Sequence, residues 1–295
     1  MMFRMKEQKR FVCRTFLFAI CVACFFVCVW ICAIPGRKLV IPSDVHLLFL
    51  GTSRIQYSIN DKCIPASLNW GNNGENYFWT YQKLKMVWRY NKNVDVVMLI
   101  CDKPSLTIWF EDNTPVRFSP YFFDILSAED YRFLLKHDVE AFGALFNWQQ
   151  VFLPYRAYLP NCEVKSVGLG GYVPLERDEL KTDILRRKKD KQNGDATFEV
   201  NSNQVLYLDK IVSFCKQNGI QIVFLTPPSY PIPDYVVRHR KMVRFLRERY
   251  PEVAHWDYEF MALPDSCYGD VDHLNLHGAE AFTRMLRKRI LSMRN

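Results

Sequence analysis

The chain has 295 residues, 49% of them hydrophobic, which is enough for one large core with appendages. Its formal charge of +8 would suit nucleic acid if it were spread over the body, but residues 1–40 hold seven Lys or Arg against one Glu. The remaining 255 residues carry only +2, which excludes an electrostatic case for nucleic-acid binding.

The first element is apolar. Thr15 to Ile34, TFLFAICVACFFVCVWICAI, contains no charge. Twenty such residues span roughly 30 Å of hydrocarbon as a helix. The run is long for a signal-peptide core, and no small-x-small cleavage site follows it, so an uncleaved anchor is expected over a cleaved signal. Five basic residues precede it and two follow. The positive-inside rule then keeps residues 1–14 in the cytoplasm and exports the rest. Residues 35–43 read as a linker. Of the ten cysteines, Cys13, Cys21, Cys24, Cys28 and Cys32 belong to the anchor or its edge. Cys63, Cys101, Cys162, Cys215 and Cys267 are scattered and odd in number, with no CxxC among them, so they indicate neither a zinc site nor a fixed pairing. Cys101 and Cys215 fall within apolar patterns and are expected in the core.

From residue 44 onward, strand and helix signals alternate. Val45–Leu50 reads as a buried strand, stopped by Gly51-Thr52-Ser53-Arg54. Ser67–Trp70 is a short second strand. Asn76–Tyr90 is a helix with Tyr77, Tyr81, Leu84 and Trp88 on one face. Asp95–Cys101 is a third strand. Ser202–Asn218 is a helix with Val205, Leu208, Val212 and Cys215 inward, stopped by Gly219. Ile220–Thr226 is a fourth strand, Asp234–Tyr250 a helix and Val253–Trp256 a fifth strand. Asn275 caps a last helix whose inner face is Ala279, Phe282, Leu286 and Ile290. This alternation predicts an α/β domain over 44–295: a flavodoxin-like three-layer sandwich around a parallel five-stranded sheet. Residues 104–200 break the rhythm and read as an insertion on the carboxyl-end side, where a lid or substrate wall would lie. Its run Arg186–Lys191 reads as a solvated loop, with contact to an anionic envelope polymer as the sharper alternative.

Hydroxyl residues after a strand most often cap a helix, so Ser53 taken alone reads as a cap. The C-terminal stretch GDVDHLNLHGAEAF changes that. Asp270 stands three residues before His273, just ahead of the last helix. A nucleophilic serine needs a base to take its proton, and the base needs an acid to fix its tautomer. Ser53 at the end of the first strand and Asp270-x-x-His273 before the last helix can meet above the carboxyl edge of the sheet. Asp272 and His277 lie close enough to be mistaken for the pair. The same four residues could be read as metal ligands, but no further ligand cluster supports a metal. No cofactor signature is present: GLGG at 168–171 lacks the strand–Gly-loop–helix frame of a dinucleotide site.

These blocks resemble the SGNH (GDSL-like) hydrolase superfamily. Gly51-Thr52-Ser53 matches its first block, and Asp270-x-x-His273 its last. The continuation His273 to Phe282 resembles membrane-anchored envelope members that serve teichoic-acid D-alanylation and alginate O-acetylation. The likeness covers about 44–103 and 200–293. It implies a serine esterase or O-acyltransferase without cofactor or metal, with Ser53, His273 and Asp270 catalytic. It also implies an oxyanion held by the N–H groups of Ser53 and a second-block glycine. That glycine is Gly71 or Gly74, and Gly71 is preferred because it ends the second strand. The third block should supply an asparagine, but Cys101-Asp102-Lys103 stands there. Asn72 or Asn73 would then have to substitute, or Lys103 donate. Otherwise activity is weak or absent, because one lost side-chain donor costs on the order of a hundredfold. Implied partners are the membrane through the N-terminal helix, an envelope polysaccharide or glycolipid, and a membrane acyltransferase. A barely catalytic glycan-binding or scaffold domain is the alternative from another class. The implied location is the inner (cell) membrane, with the domain periplasmic or extracellular.

Overall fold

A computed structural model of the chain describes residues 2–33, 42–107, 119–146, 170–190 and 198–294. Cys162, most of the 35–43 linker and Lys191 lie outside them, whereas the rest of the charged run expected as a loop, Arg186–Asp190, ends a helix. Helix α1 is Met2–Ala33, and its segment Arg10–Cys28 is long and apolar enough to cross a membrane by length and composition. None of that segment is buried in the protein.

Five strands follow: β1 Leu47–Leu50, β2 Ser67–Asn69, β3 Val96–Ile100, β4 Gln221–Thr226 and β5 Ala254–Asp257. They form one all-parallel sheet in the order β2-β1-β3-β4-β5. This is the flavodoxin-type order, with its reversal between β1 and β3. Both faces are covered. Leu48 and Leu50 of β1 and Val97 and Leu99 of β3 enter one core, while Leu47, Phe49, Val96, Met98 and Ile100 enter the other. The period of two thus divides each apolar run between two buried faces, so these strands are continuously hydrophobic rather than alternating.

The helices set the layers. Helix α2 is Ser53–Ser58, and α3 is Tyr77–Tyr90, capped by the Asn76 side chain on the Trp79 amide. Helix α4, Lys103–Thr107, leaves β3 directly. The region between β3 and β4 adds α5 Ser119–Phe122, α6 Ala128–His137, α7 Val139–Ala144 and α8 Leu180–Asp190. Helices α9 Ser202–Gln217, α10 Pro233–Arg249 and α11 Leu276–Arg294 complete the chain. The first core takes Leu84 of α3, Leu208 and Cys215 of α9, and Met242 and Leu246 of α10. Its α9 face also includes Tyr207 and Ile211, whereas Val205 is only half-buried. The second core takes Ile55 of α2 and Phe282, Leu286 and Ile290 of α11. Asn275 caps α11 by accepting from the Gly278 amide at 3.1 Å. Cys101 and Cys215 are buried as expected.

One backbone position controls the exit from β1. Gly51 has φ +137°, and a Cβ there would lie 2.0 Å from Ile100 Cγ2 on β3. Any side chain must therefore distort the turn that delivers Thr52 and Ser53. Gly51→Ala is predicted to lower stability by about 2–4 kcal/mol. Gly143→Ala, where a Cβ meets nothing within 4 Å, should instead leave stability unchanged or slightly raised. Equal melting temperatures for Gly51→Ala and wild type would contradict this account of the turn.

Candidate active site

The chain turns sharply after β1, and Thr52 caps α2 by accepting from the Arg54 amide. The capping role thus falls to Thr52. Ser53 becomes the first helical residue, with its hydroxyl left for other work. Ser53 Oγ lies 2.8 Å from His273 Nε2, across 220 residues of sequence. His273 Nδ1 lies 2.9 Å from Asp270 Oδ1 and 3.0 Å from Oδ2. With the ring proton on Nδ1, the imidazole donates to Asp270 and presents a lone pair to the Ser53 hydroxyl. This is the arrangement a general base requires. The edge of Tyr57 packs against the imidazole, centroids 5.3 Å apart and planes at 87°.

The loop before α11 preorganises the acid. Asp270 Oδ1 also accepts the amides of Asp272 and His273, at 2.8 and 2.9 Å. Arg177 Nη1 donates to Oδ2 at 2.9 Å. Burial alone would raise the Asp270 pKa, but His273, the Asp272 amide and Arg177 outweigh it and bring it to about 2. Its charge therefore contributes stability throughout the range above ordinary carboxylate titration, lost only as pH falls towards 2. Asp272 points elsewhere, to Arg187 Nη2 at 2.5 Å, and is not the triad acid. Among the described residues, no cluster of three or more His, Cys, Asp or Glu is arranged to hold a metal.

Behind Ser53, Arg54 is buried and joins the ends of three strands. Its Nη1 donates to Asp102 Oδ2 at 3.1 Å, just past β3. Its Nη2 donates to Glu259 Oε2 at 2.8 Å, just past β5, and to the Pro227 carbonyl just past β4. Burial opposes the charge on Arg54, yet Glu259 and Asp102 more than offset it and raise the pKa. Asp102 Oδ1 meanwhile accepts from the Ser105 amide and hydroxyl, at 2.9 and 2.5 Å. The residue at the third-block position is thus an acceptor committed to Arg54 and α4, and it supplies no donor to an oxyanion.

The expected oxyanion donors divide. Among the described residues, the Ser53 amide, first of α2, makes no recorded hydrogen bond. The Gly71 amide is not similarly available: it donates to Asn69 Oδ1 at 2.8 Å. The physical reason is local. Asn69 is fully buried and bonds the Ile55 and Ile59 carbonyls through its Nδ2, which leaves its Oδ1 facing Gly71. The Asn73 amide donates to Gln56 Oε1 at 3.1 Å, and Asn73 is exposed, whereas Asn72 is buried. Lys103 opens α4, where burial and neighbouring Arg238 lower its pKa. His277 is exposed on α11.

Arg54, Glu259, Tyr57 and Arg177 were not anticipated from the sequence. Arg54 had a faint signal, as a charge directly behind a buried strand. The other three had none.

A protein-family model matches residues 176–295, the part that holds β4, β5 and the Asp270–His273 loop. No curated protein matches the chain. Among solved structures, one from Streptococcus pneumonia, described as "a putative platelet activating factor", aligns with 87% of this chain and 88% of its own, at 11% identity and a TM-score of 0.43.

Removing the guanidinium from Arg54 would leave Asp102 and Glu259 buried without the cation that bridges them. Arg54→Leu is predicted to cost about 3–5 kcal/mol in chemical denaturation. Retention of wild-type stability would show that the two carboxylates do not depend on it.

Proposed function

We propose that the protein is a serine esterase or O-acyltransferase, with Ser53 as nucleophile, His273 as base and Asp270 as its orienting acid. The continuous chain Ser53 Oγ–His273–Asp270, with contacts of 2.8 and 2.9 Å, carries this reading. Ser53 Oγ attacks an ester carbonyl while its proton passes to His273 Nε2. The tetrahedral intermediate collapses, the C–O bond to the leaving alcohol breaks, and His273 returns the proton to that alcohol. Water or a sugar hydroxyl then attacks the acyl-serine, again with His273 as base. The Ser53 N–H is one oxyanion donor. A second must come from the 71–74 loop, either Gly71 after its bond to Asn69 is exchanged or an asparagine amide.

The wider assignment rests on the sequence resemblance and on α1. In this reading α1 anchors the protein in the inner (cell) membrane, with the basic N-terminus cytoplasmic and the α/β domain outside. The substrate is then an ester on an envelope glycan or glycolipid, and a membrane acyltransferase is the implied partner. A second reading is favoured by the committed Gly71 amide and the acceptor-only Asp102: a glycan-binding or scaffold domain with little turnover.

Hydrolysis of p-nitrophenyl acetate by the full-length protein in detergent separates the two. The esterase reading predicts turnover that falls by about 10³-fold or more in Ser53→Ala and His273→Ala, with unchanged folding. Turnover at the wild-type rate in Ser53→Ala would sink the mechanism, and a folded wild type without turnover would favour the scaffold.

A further inference from the structure

Residues 170–179, which form no helix or strand, run between the two loops that build the site. At one end, Gly170 has φ +125°, and a Cβ there would lie 2.6 Å from the Gly71 and Trp70 carbonyls, so only glycine fits. The Gly171 amide bonds the Gly71 carbonyl at 3.1 Å, and the Val173 amide bonds the Gln56 carbonyl at 3.2 Å. At the other end, the Leu175 carbonyl accepts the Leu276 amide at 3.3 Å, and the Glu179 amide bonds the Gly269 carbonyl at 2.8 Å. The segment therefore straps the turn after β2 to the loop that carries Asp270 and His273. Helix α8 continues this grip, since Asp183 accepts the Val271 amide at 3.4 Å and Arg187 pairs with Asp272.

From this strap the Arg177 side chain reaches the triad. Arg177 Nη1 bonds Asp270 Oδ2, the oxygen that also lies 3.0 Å from His273 Nδ1. We propose that Arg177 is a positioning residue for the Ser53 site, holding Asp270 in the orientation His273 uses while competing with His273 for the same carboxylate oxygen. This extends the esterase reading and rests on it for its consequence in catalysis.

Two effects follow from one contact. The guanidinium fixes the carboxylate plane, so that Oδ1 faces Nδ1 as well as the two loop amides. It also places a positive charge on the carboxylate oxygen that faces His273 Nδ1, so its removal deepens the negative field there. Around this contact, Tyr57 of α2 packs against the His273 ring, Glu179 lies 3.8 Å from Arg177 Nε, and Asp272 of the same loop interacts with Arg54 of α2, Lys103 of α4 and Arg187 of α8. Most of these are tied to one another: Arg54 to Asp102 and Glu259, and Arg187 to Asp272 and Asp183. Arg177 is the cation in direct contact with the triad acid, and at 45% side-chain exposure it can be replaced without emptying a core.

The test uses full-length protein in detergent with labelled histidine, and follows the His273 imidazole by NMR against pH, assigned by its loss in His273→Gln. In Arg177→Ala the His273 midpoint is expected to move to higher pH, and in Arg177→Lys to stay close to wild type. In p-nitrophenyl acetate turnover, the acid limb of kcat/KM should move up with it and kcat should fall several-fold, at an unchanged melting temperature. An unchanged His273 midpoint in Arg177→Ala overturns the proposal, as does an equal displacement in Arg177→Lys. If wild type shows no turnover, the esterase reading fails on its own, and the NMR midpoint still decides the role of Arg177.

Discussion

The Arg54 guanidinium is the contact on which the site's geometry depends. It follows Ser53 directly, is buried, and bonds groups just beyond β3, β4 and β5. A parallel sheet ends in frayed carbonyls and loops at its carboxyl edge, where the switch between β1 and β3 opens a crevice. A buried cation with carboxylates on two sides draws those ends together around the start of α2. The desolvation of one arginine is offset by two acids, and each acid would be costly without it. Ser53 therefore stands on a turn held from below by ion pairs and from behind by the close approach of Gly51 to Ile100.

The opposite half of the site is built by a different device. Asp270 is bound by loop amides, by His273 and by Arg177, so the acid is fixed before any substrate arrives. Preorganisation of this kind is where most catalytic benefit arises in acyl transfer, because no dipole has to turn as charge develops. The oxyanion side is less prepared. Its glycine amide is engaged with Asn69, and Asp102 accepts rather than donates. The Ser53–His273–Asp270 chain of hydrogen bonds is therefore complete, while the donors beside it are largely engaged within the protein.

Much of this was legible in the sequence. Each of the five expected strands exists within a residue or two of its expected ends, because apolar runs stopped by Gly, Asn or Pro specify buried parallel strands locally. The cap at Asn275 was equally local. The meeting of Ser53 with Asp270 and His273 was legible because it needs only these residue types after the first strand and before the last helix. Arg54 and Arg177 were not, because their meaning lies in partners 48 and 93 residues away. Gly71 was assigned from its position at a strand end, but the carbonyl of a buried asparagine two residues earlier claims its amide. The helices over residues 119–144 have only one to three turns each, too few for periodicity to fix them before packing is known.

The central claim is that Ser53 is an activated nucleophile. The most direct measurement is labelling of the full-length protein with a fluorophosphonate probe, with the modified peptide located by mass spectrometry, in wild type beside Ser53→Ala and His273→Ala. The account predicts a stoichiometric adduct on Ser53 in wild type and none in either variant. A folded wild type that stays unlabelled, or labelling that persists in His273→Ala at the wild-type rate, would contradict it.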